Sequence, residues 1–143
     1  MKGKMILDIR IEFNGPSVQM KGENGEVLMI PFRGSAEGVI FRGIVEPCGV
    51  DTQVVNAAGV RHMSARYMLT GTDAVGEACR IYVQNDGWFD GGDVTMPFRT
   101  VPAFMTDSAR LAPYLHQNRF VGEGETLSDG LHIRFYEIEH RFY

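Results

Sequence analysis
The sequence predicts an all-β protein, a single antiparallel sheet closed into a barrel, and three observations predict it. Alternation of apolar and polar residues with period two runs through most of the 143 residues. Turn chemistry recurs about every 8–12 residues, helped by 17 glycines. Only one short stretch has the pattern of a helix. Eight to ten short strands in that arrangement fit a sandwich or a barrel. A barrel is favoured because closure removes the edges that such regular alternation would leave exposed.

Leu7-Asp8-Ile9-Arg10-Ile11-Glu12-Phe13 alternates apolar and charged residues, the pattern of a half-buried antiparallel strand. Asn14-Gly15-Pro16 ends it. Val27 to Phe32 forms the next clear strand, entered through the Asn24-Gly25 hairpin signal. Val39, Phe41, Gly43 and Val45 share a face of the following strand, which Pro47-Cys48-Gly49 is expected to close. Val54-Val55 makes a short strand turning at Asn56 to Gly59. Val60 to Leu69 is a full strand with Met63, Ala65, Tyr67 and Leu69 on one side and His62, Ser64 and Arg66 on the other. Cys79 to Gln84 follows, then a glycine-rich loop from Asn85 to Asp93. Val94 to Phe104 reads as an edge or bulged strand, because Pro97 and Pro102 lack a donor for the ladder. Asp107 to Gln117 invites one or two helical turns, with Ser108 as a cap and Pro113 barring a longer helix. Leu131 to Ile138 is the last strand. The whole chain, 1–143, reads as one domain.

Composition narrows the function classes. Hydrophobic residues make up 44% and charged residues 22%, enough for a solid core. A net charge of −4 and a pI near 5.5 lack the basic footprint of a nucleic-acid binder. Met5-Ile6-Leu7 is cut by Asp8 and Arg10, so no export signal or membrane helix is expected, and the chain reads as cytoplasmic. Strands ending in Phe142-Tyr143 resemble an outer-membrane barrel in outline, but charges occur throughout and no apolar band is present. Cys48 and Cys79 read as two reduced, mostly buried thiols.

No nucleophile elbow, phosphate loop or dinucleotide fingerprint is present, and no β-α alternation, so no cofactor is expected. His62, His132 and His140 fall in separate strands without ligand spacing, and the acids Asp86, Asp90 and Asp93 lack the terminal Glu of a calcium loop. No metal site is expected. The ligand-binding candidates are Arg66, Tyr82, Trp88 and Arg99. Arg66 shares a face with His62 and Ser64, which is either solvated wall or a polar lining for an anion. Arg99, beside Phe98, would aim its fork at a carboxylate, either Asp51 or Asp73 or one belonging to a ligand. Trp88 and Phe89 would line a barrel mouth and stack on a flat ligand, or anchor a loop, or form a dimer contact. Tyr82 lies with Arg80 and Gln84 on a polar row. Asp51, Asp73 and His116 are the candidate acids and bases, His116 by residue type alone.

From the middle of the chain a family resemblance is visible. Its pieces are Gly43-Ile44-Val45, Pro47-Cys48-Gly49-Val50-Asp51, Ala65-Arg66-Tyr67-Met68-Leu69, Phe98-Arg99-Thr100-Val101-Pro102-Ala103-Phe104 and Phe120-Val121-Gly122-Glu123-Gly124. In that order and spacing the chain, over roughly Ile6 to Ile138, resembles the uncharacterised bacterial family called domain of unknown function 3237, or uncharacterised protein family 0311. It departs from the usual pattern at Cys48, at Ser64, in the hairpin Gly71 to Glu77 and at Leu115-His116-Gln117. The resemblance implies a small closed barrel of lipocalin-like appearance that self-associates, and it carries no settled activity. The first functional expectation is therefore a barrel that binds a small organic molecule in its interior or at its mouth. The alternative is a cofactor-independent isomerase, cyclase or lyase working by acid–base chemistry. A second alternative is an accessory subunit acting through apolar patches around Met96, Phe104 and Phe142.

Overall fold
The computed structural model describes residues 2–138. In chain order its elements are β1 (Lys2–Phe13), β2 (Val18–Gly22), β3 (Gly25–Glu37), β4 (Phe41–Asn56), β5 (Arg61–Asp73), β6 (Ala78–Phe89), β7 (Phe98–Thr106), α1 (Ala112–Leu115), β8 (Phe120–Leu127) and β9 (Gly130–Ile138). From β2 onward each strand pairs antiparallel with the next, and β1 pairs with both β9 and β3. Eight strands thus close into a barrel, with β2 outside the ring as an extension of β3. At the closing seam Gly34 lies against the backbone of Arg10, where a Cβ would run into the Arg10 carbonyl oxygen. Closure there requires glycine.

The alternation seen in the sequence sets what faces inward. Leu7, Ile9 and Ile11 of β1 and Ile133 and Phe135 of β9 are buried, while Asp8, Arg10 and Arg134 face outward. One end of the barrel is solid. Phe104 packs edge-on against Phe120 and Phe135, both at 5.3 Å between ring centres, and Leu111 and Leu115 of the helical segment are buried beside this core. Ser108 Oγ accepts the Leu111 N–H at 3.1 Å in the turn before α1, whose cap position is Leu111 and carries no side-chain cap, and α1 is a single turn beginning next to Pro113.

Several element boundaries differ from expectation. β4 does not end at Pro47-Cys48-Gly49. Its register with β5 steps from Val45 opposite Leu69 to Val50 opposite Arg66, so four residues bulge opposite two. Proline has no N–H for the ladder, and the strand bulges around it and continues through Val54-Val55. The loop expected from Asn85 begins only after Phe89, because Asn85 to Phe89 pairs along β5 from Ala65 to Arg61. Pairing with a long neighbour overrides the local turn chemistry there. β7 starts at Phe98, and residues 94–97 lie outside the ladder. Cys79 is buried as expected, whereas Cys48 is exposed on the bulge, and both thiols are free. Among the described residues no helix is long and apolar enough to cross a membrane.

Candidate functional site
The other end of the barrel is hollow. A cavity of about 250 Å³ has apolar walls that include Ile11, Met63, Phe98 and Ile133, with Val94 and Met96 from the segment before β7. Phe32 and Tyr67, edge-on at 5.2 Å, line it as well and, like Ile11, Phe98 and Ile133, also belong to the packed core. Five polar residues face the same space: Asp51, Gln53, Tyr67, Asn85 and Thr100.

Register explains how residues so far apart in sequence meet. Asp51 lies opposite Ala65 across β4 and β5, and Ala65 lies opposite Asn85 across β5 and β6. Ala65 contributes one methyl group between two polar side chains, which leaves the space open. Tyr67, two residues along β5, is the diagonal neighbour of both Asp51 and Asn85. Thr100 stands in the same relation to Asn85, whose direct partner on β7 is Pro102. Diagonal positions on one face of a sheet lie roughly 7–8 Å apart, within reach of a shared small molecule.

Asp51 Oδ1, Tyr67 Oη, Asn85 Oδ1 and Thr100 Oγ1 are all buried without a hydrogen-bond partner among the described residues. Buried polar groups are nearly always paired, and each one left bare costs about 1–3 kcal/mol. Four around one cavity form a set available to a bound molecule.

The second carboxylate oxygen of Asp51 is held. Gln53 Nε2 donates to Asp51 Oδ2 at 2.8 Å, and Arg61 Nη1 donates to Gln53 Oε1 at 2.8 Å. Arg61 in turn donates through Nε to the Gly92 carbonyl at 2.6 Å and lies 3.4 Å from Glu26. Because arginine only donates, this chain fixes which end of the Gln53 amide faces Asp51. Burial pushes the Asp51 carboxyl above its usual value, against the opposing pull of Gln53 and Arg61. Burial likewise raises the Tyr67 phenol, which stays protonated and is a hydrogen-bond donor. No Lys, Arg or His is among the described residues lining the cavity.

Comparison with known proteins places the chain. The family model for DUF3237, proteins of unknown function, matches residues 1–138. The chain belongs to the DUF3237 family. A UPF0311 protein of Clostridium acetobutylicum is 30% identical over 129 residues, covering 80% of this chain and 78% of that relative. Among solved structures, a protein of unknown function from the same organism superposes with a TM-score of 0.74 at 27% identity, covering 95% of both chains. A β-barrel-like protein from Acinetobacter baumannii gives 0.73 at 23% identity over 95% of this chain and 94% of that one. A protein from Penicillium herquei described as an enzyme gives 0.65 at 18% identity over 95% and 92%, a likeness of fold.

Of the residues singled out in the sequence, Asp51 is the one this DUF3237 chain places on the cavity. Asp73 lies at the far end of β5 and holds a turn: its Oδ1 accepts from the N–H groups of Val75 (3.0 Å) and Glu77 (2.9 Å), and Arg110 Nε lies 3.4 Å from Oδ2. His116 Nε2 accepts the Thr106 N–H at 2.9 Å and secures the segment after β7. Arg66 and Arg99 are exposed on the outer wall, since each is adjacent in sequence to an inward residue, Tyr67 and Thr100. Arg99 meets neither Asp51 nor Asp73, and its cross-strand neighbour is Glu123. Tyr82 also faces outward, its hydroxyl 3.5 Å from Gln84. Trp88 is 58% exposed and stacks on His62 at 4.7 Å, with His62 2.9 Å from Asp86. Trp88 and Arg99 do come together, along a second space of about 610 Å³ that shares Thr100 with the cavity but not Asp51, Tyr67 or Asn85.

The residues that sequence reasoning missed are Gln53, Tyr67, Asn85 and Thr100. The sequence places Tyr67 on the side of its strand with Met63, Ala65 and Leu69, and Asn85 in a loop. Of the patch expected around Met96, Phe104 and Phe142, Met96 is exposed, Phe104 is buried, and Phe142 lies outside the described residues. No cluster of three or more His, Cys, Asp or Glu suited to a metal occurs among the described residues.

Proposed function
We propose that this protein binds a small, neutral organic molecule in the hollow half of its barrel. The observation that carries the reading is the set of four unpartnered buried atoms, on Asp51, Tyr67, Asn85 and Thr100, around one cavity. Its volume sets the scale: an apolar cavity of roughly 150 Å³ takes up benzene, so about 250 Å³ suits one or two fused rings. Its charge sets the chemistry. With a carboxyl group present and no cation among the described residues of the lining, an anionic ligand would be desolvated without compensation. Arg66 and Arg99, considered for holding an anion, take no part in this cavity, because both lie on the outer wall.

A second reading, a cofactor-independent isomerase, cyclase or lyase, is favoured by Asp51 itself. An ionisable carboxyl in an apolar cavity, its pKa raised by burial, is a costly group for binding alone and a useful one for proton transfer. The binding reading is tested by a thermal-shift panel of neutral one- and two-ring carbonyl and hydroxyl compounds beside their carboxylate analogues. Neutral compounds should raise the Tm of the wild type and leave Ala65→Leu, which fills the space between Asp51 and Asn85, unchanged. No shift with any neutral compound, or equal shifts in Ala65→Leu, would overturn it.

A further inference from the structure
Deepening the acid–base reading above, and resting on it, we propose that Asp51 and Tyr67 enolise a small neutral cyclic ketone in the barrel cavity, with Asp51 moving the proton and Tyr67 holding the oxygen. The placement carries the assignment. Asp51 lines the cavity with one carboxylate oxygen buried and unpartnered, while Gln53 Nε2 donates to the other at 2.8 Å and fixes the carboxylate's orientation. Tyr67, its diagonal neighbour on β5, lines the same space, and its buried hydroxyl has no protein partner among the described residues. An acceptor and a donor flanking one small cavity match the acidic C–H and the carbonyl oxygen of a ketone, which are separated by one carbon atom. Asn85 Oδ1 and Thr100 Oγ1, farther round the wall, suit a hydroxyl on the far side of the ring. The substrate class is thus a neutral cyclic ketone, preferentially one bearing a hydroxyl.

The chemistry balances without a further reagent. The Asp51 carboxylate takes the α-proton, and the C–H electron pair becomes a carbon–carbon double bond. The carbonyl π pair moves onto oxygen, where the hydrogen bond from Tyr67 strengthens as charge develops. Tyr67 keeps its proton. Asp51, now a carboxylic acid, returns the proton to the same carbon, giving exchange, or to the far end of a conjugated enolate, giving isomerisation. Gln53 is a positioning residue, acting through Asp51. The charged groups on this side are Arg61 of β5, behind Gln53, and Glu26 of β3 beyond Arg61; Ile30 of β3 lies directly opposite Asp51.

The test uses β-tetralone in deuterium oxide with the full chain. Binding is read from the Met63 methyl resonance, and α-hydrogen exchange from loss of the ketone proton signal relative to a protein-free control. The wild type should accelerate exchange, with a rate that rises with pH as Asp51 ionises. Asp51→Asn should lose about 10²-fold or more of the acceleration, and Tyr67→Phe about 10²-fold, while both still shift Met63. Binding without accelerated exchange, or an Asp51→Asn protein as fast as the wild type, overturns the proton-transfer assignment and leaves the cavity reading standing. No Met63 shift with the wild type overturns both.

Discussion

Replacing Tyr67 by Phe removes one oxygen and keeps the ring, so the edge-on contact with Phe32 at 5.2 Å is preserved. In an ordinary core the change breaks a hydrogen bond and costs about 0.5–1.5 kcal/mol. Here the hydroxyl has no protein partner, so no such bond is lost. The change instead relieves the cost of holding a bare hydroxyl away from water, about 1–3 kcal/mol, less whatever a cavity water restores. The variant should therefore be more stable by about 1 kcal/mol, and at least no less stable, with Tm rising by roughly 2–4 °C. Urea denaturation gives the answer directly, since the midpoint should rise at unchanged slope. Ligand affinity should fall in the same variant. A loss of about 1 kcal/mol or more would mean that the hydroxyl holds the fold together, and the argument from unpartnered atoms would fail.

The same logic applies to Asp51. Its folded pKa lies above the ordinary 3.8, so the native state favours the protonated form, and stability falls as pH rises from about 3.8 through the folded value. Asp51→Asn should abolish that fall and be more stable than the wild type at pH 7; a variant of lower stability at pH 7 would contradict it. His132 behaves oppositely. Burial disfavours its cation, but hydrogen bonds to Asp8 (2.8 Å) and Asp129 (2.7 Å) prevail and raise its pKa above 6.5. Its contribution is full below pH 6.5 and lost as pH rises through the folded value, so His132→Gln should flatten that part of the stability profile, and an unchanged profile would refute the pairing. At Gly124 a Cβ would run into the ring of its cross-strand partner Phe98, which is buried against the cavity. Gly124→Ala should cost about 1–3 kcal/mol of stability and push Phe98 toward the cavity, and an unchanged urea midpoint would show that the ring moves freely.

The fold was legible where local pattern and global pairing agree. β1 from Leu7 onward and β9 alternate cleanly because one side faces core and the other water, and the helix is held to a single turn beside Pro113. Legibility failed where pairing overrides local chemistry. Asn85-Asp86-Gly87 has the composition of a turn, yet β5 is long enough to hold it as strand. Pro47 reads as a stop, but a bulge absorbs it.

The site was harder to read, for a physical reason. Its members sit on four strands and meet through register, which no single segment encodes. Asp51 was found because carboxylates invite chemical suspicion. Arg66 and Arg99 were weighed for the same reason, although alternation alone puts them outside once Tyr67 and Thr100 are inside. The telling feature of Tyr67, an unpartnered hydroxyl, exists only in three dimensions.

The central claim, that a neutral molecule occupies the hollow end of the barrel, is tested most directly by methyl NMR of the protein carrying labelled methionine. Met63 lines the cavity, whereas Met20, Met29 and Met105 are exposed outside it. Titration with neutral ring ketones and their carboxylate analogues should move Met63 with the ketones alone and leave Met20, Met29 and Met105 in place. Shifts confined to the outer methionines, or a Met63 response to carboxylates and not to ketones, would contradict the account.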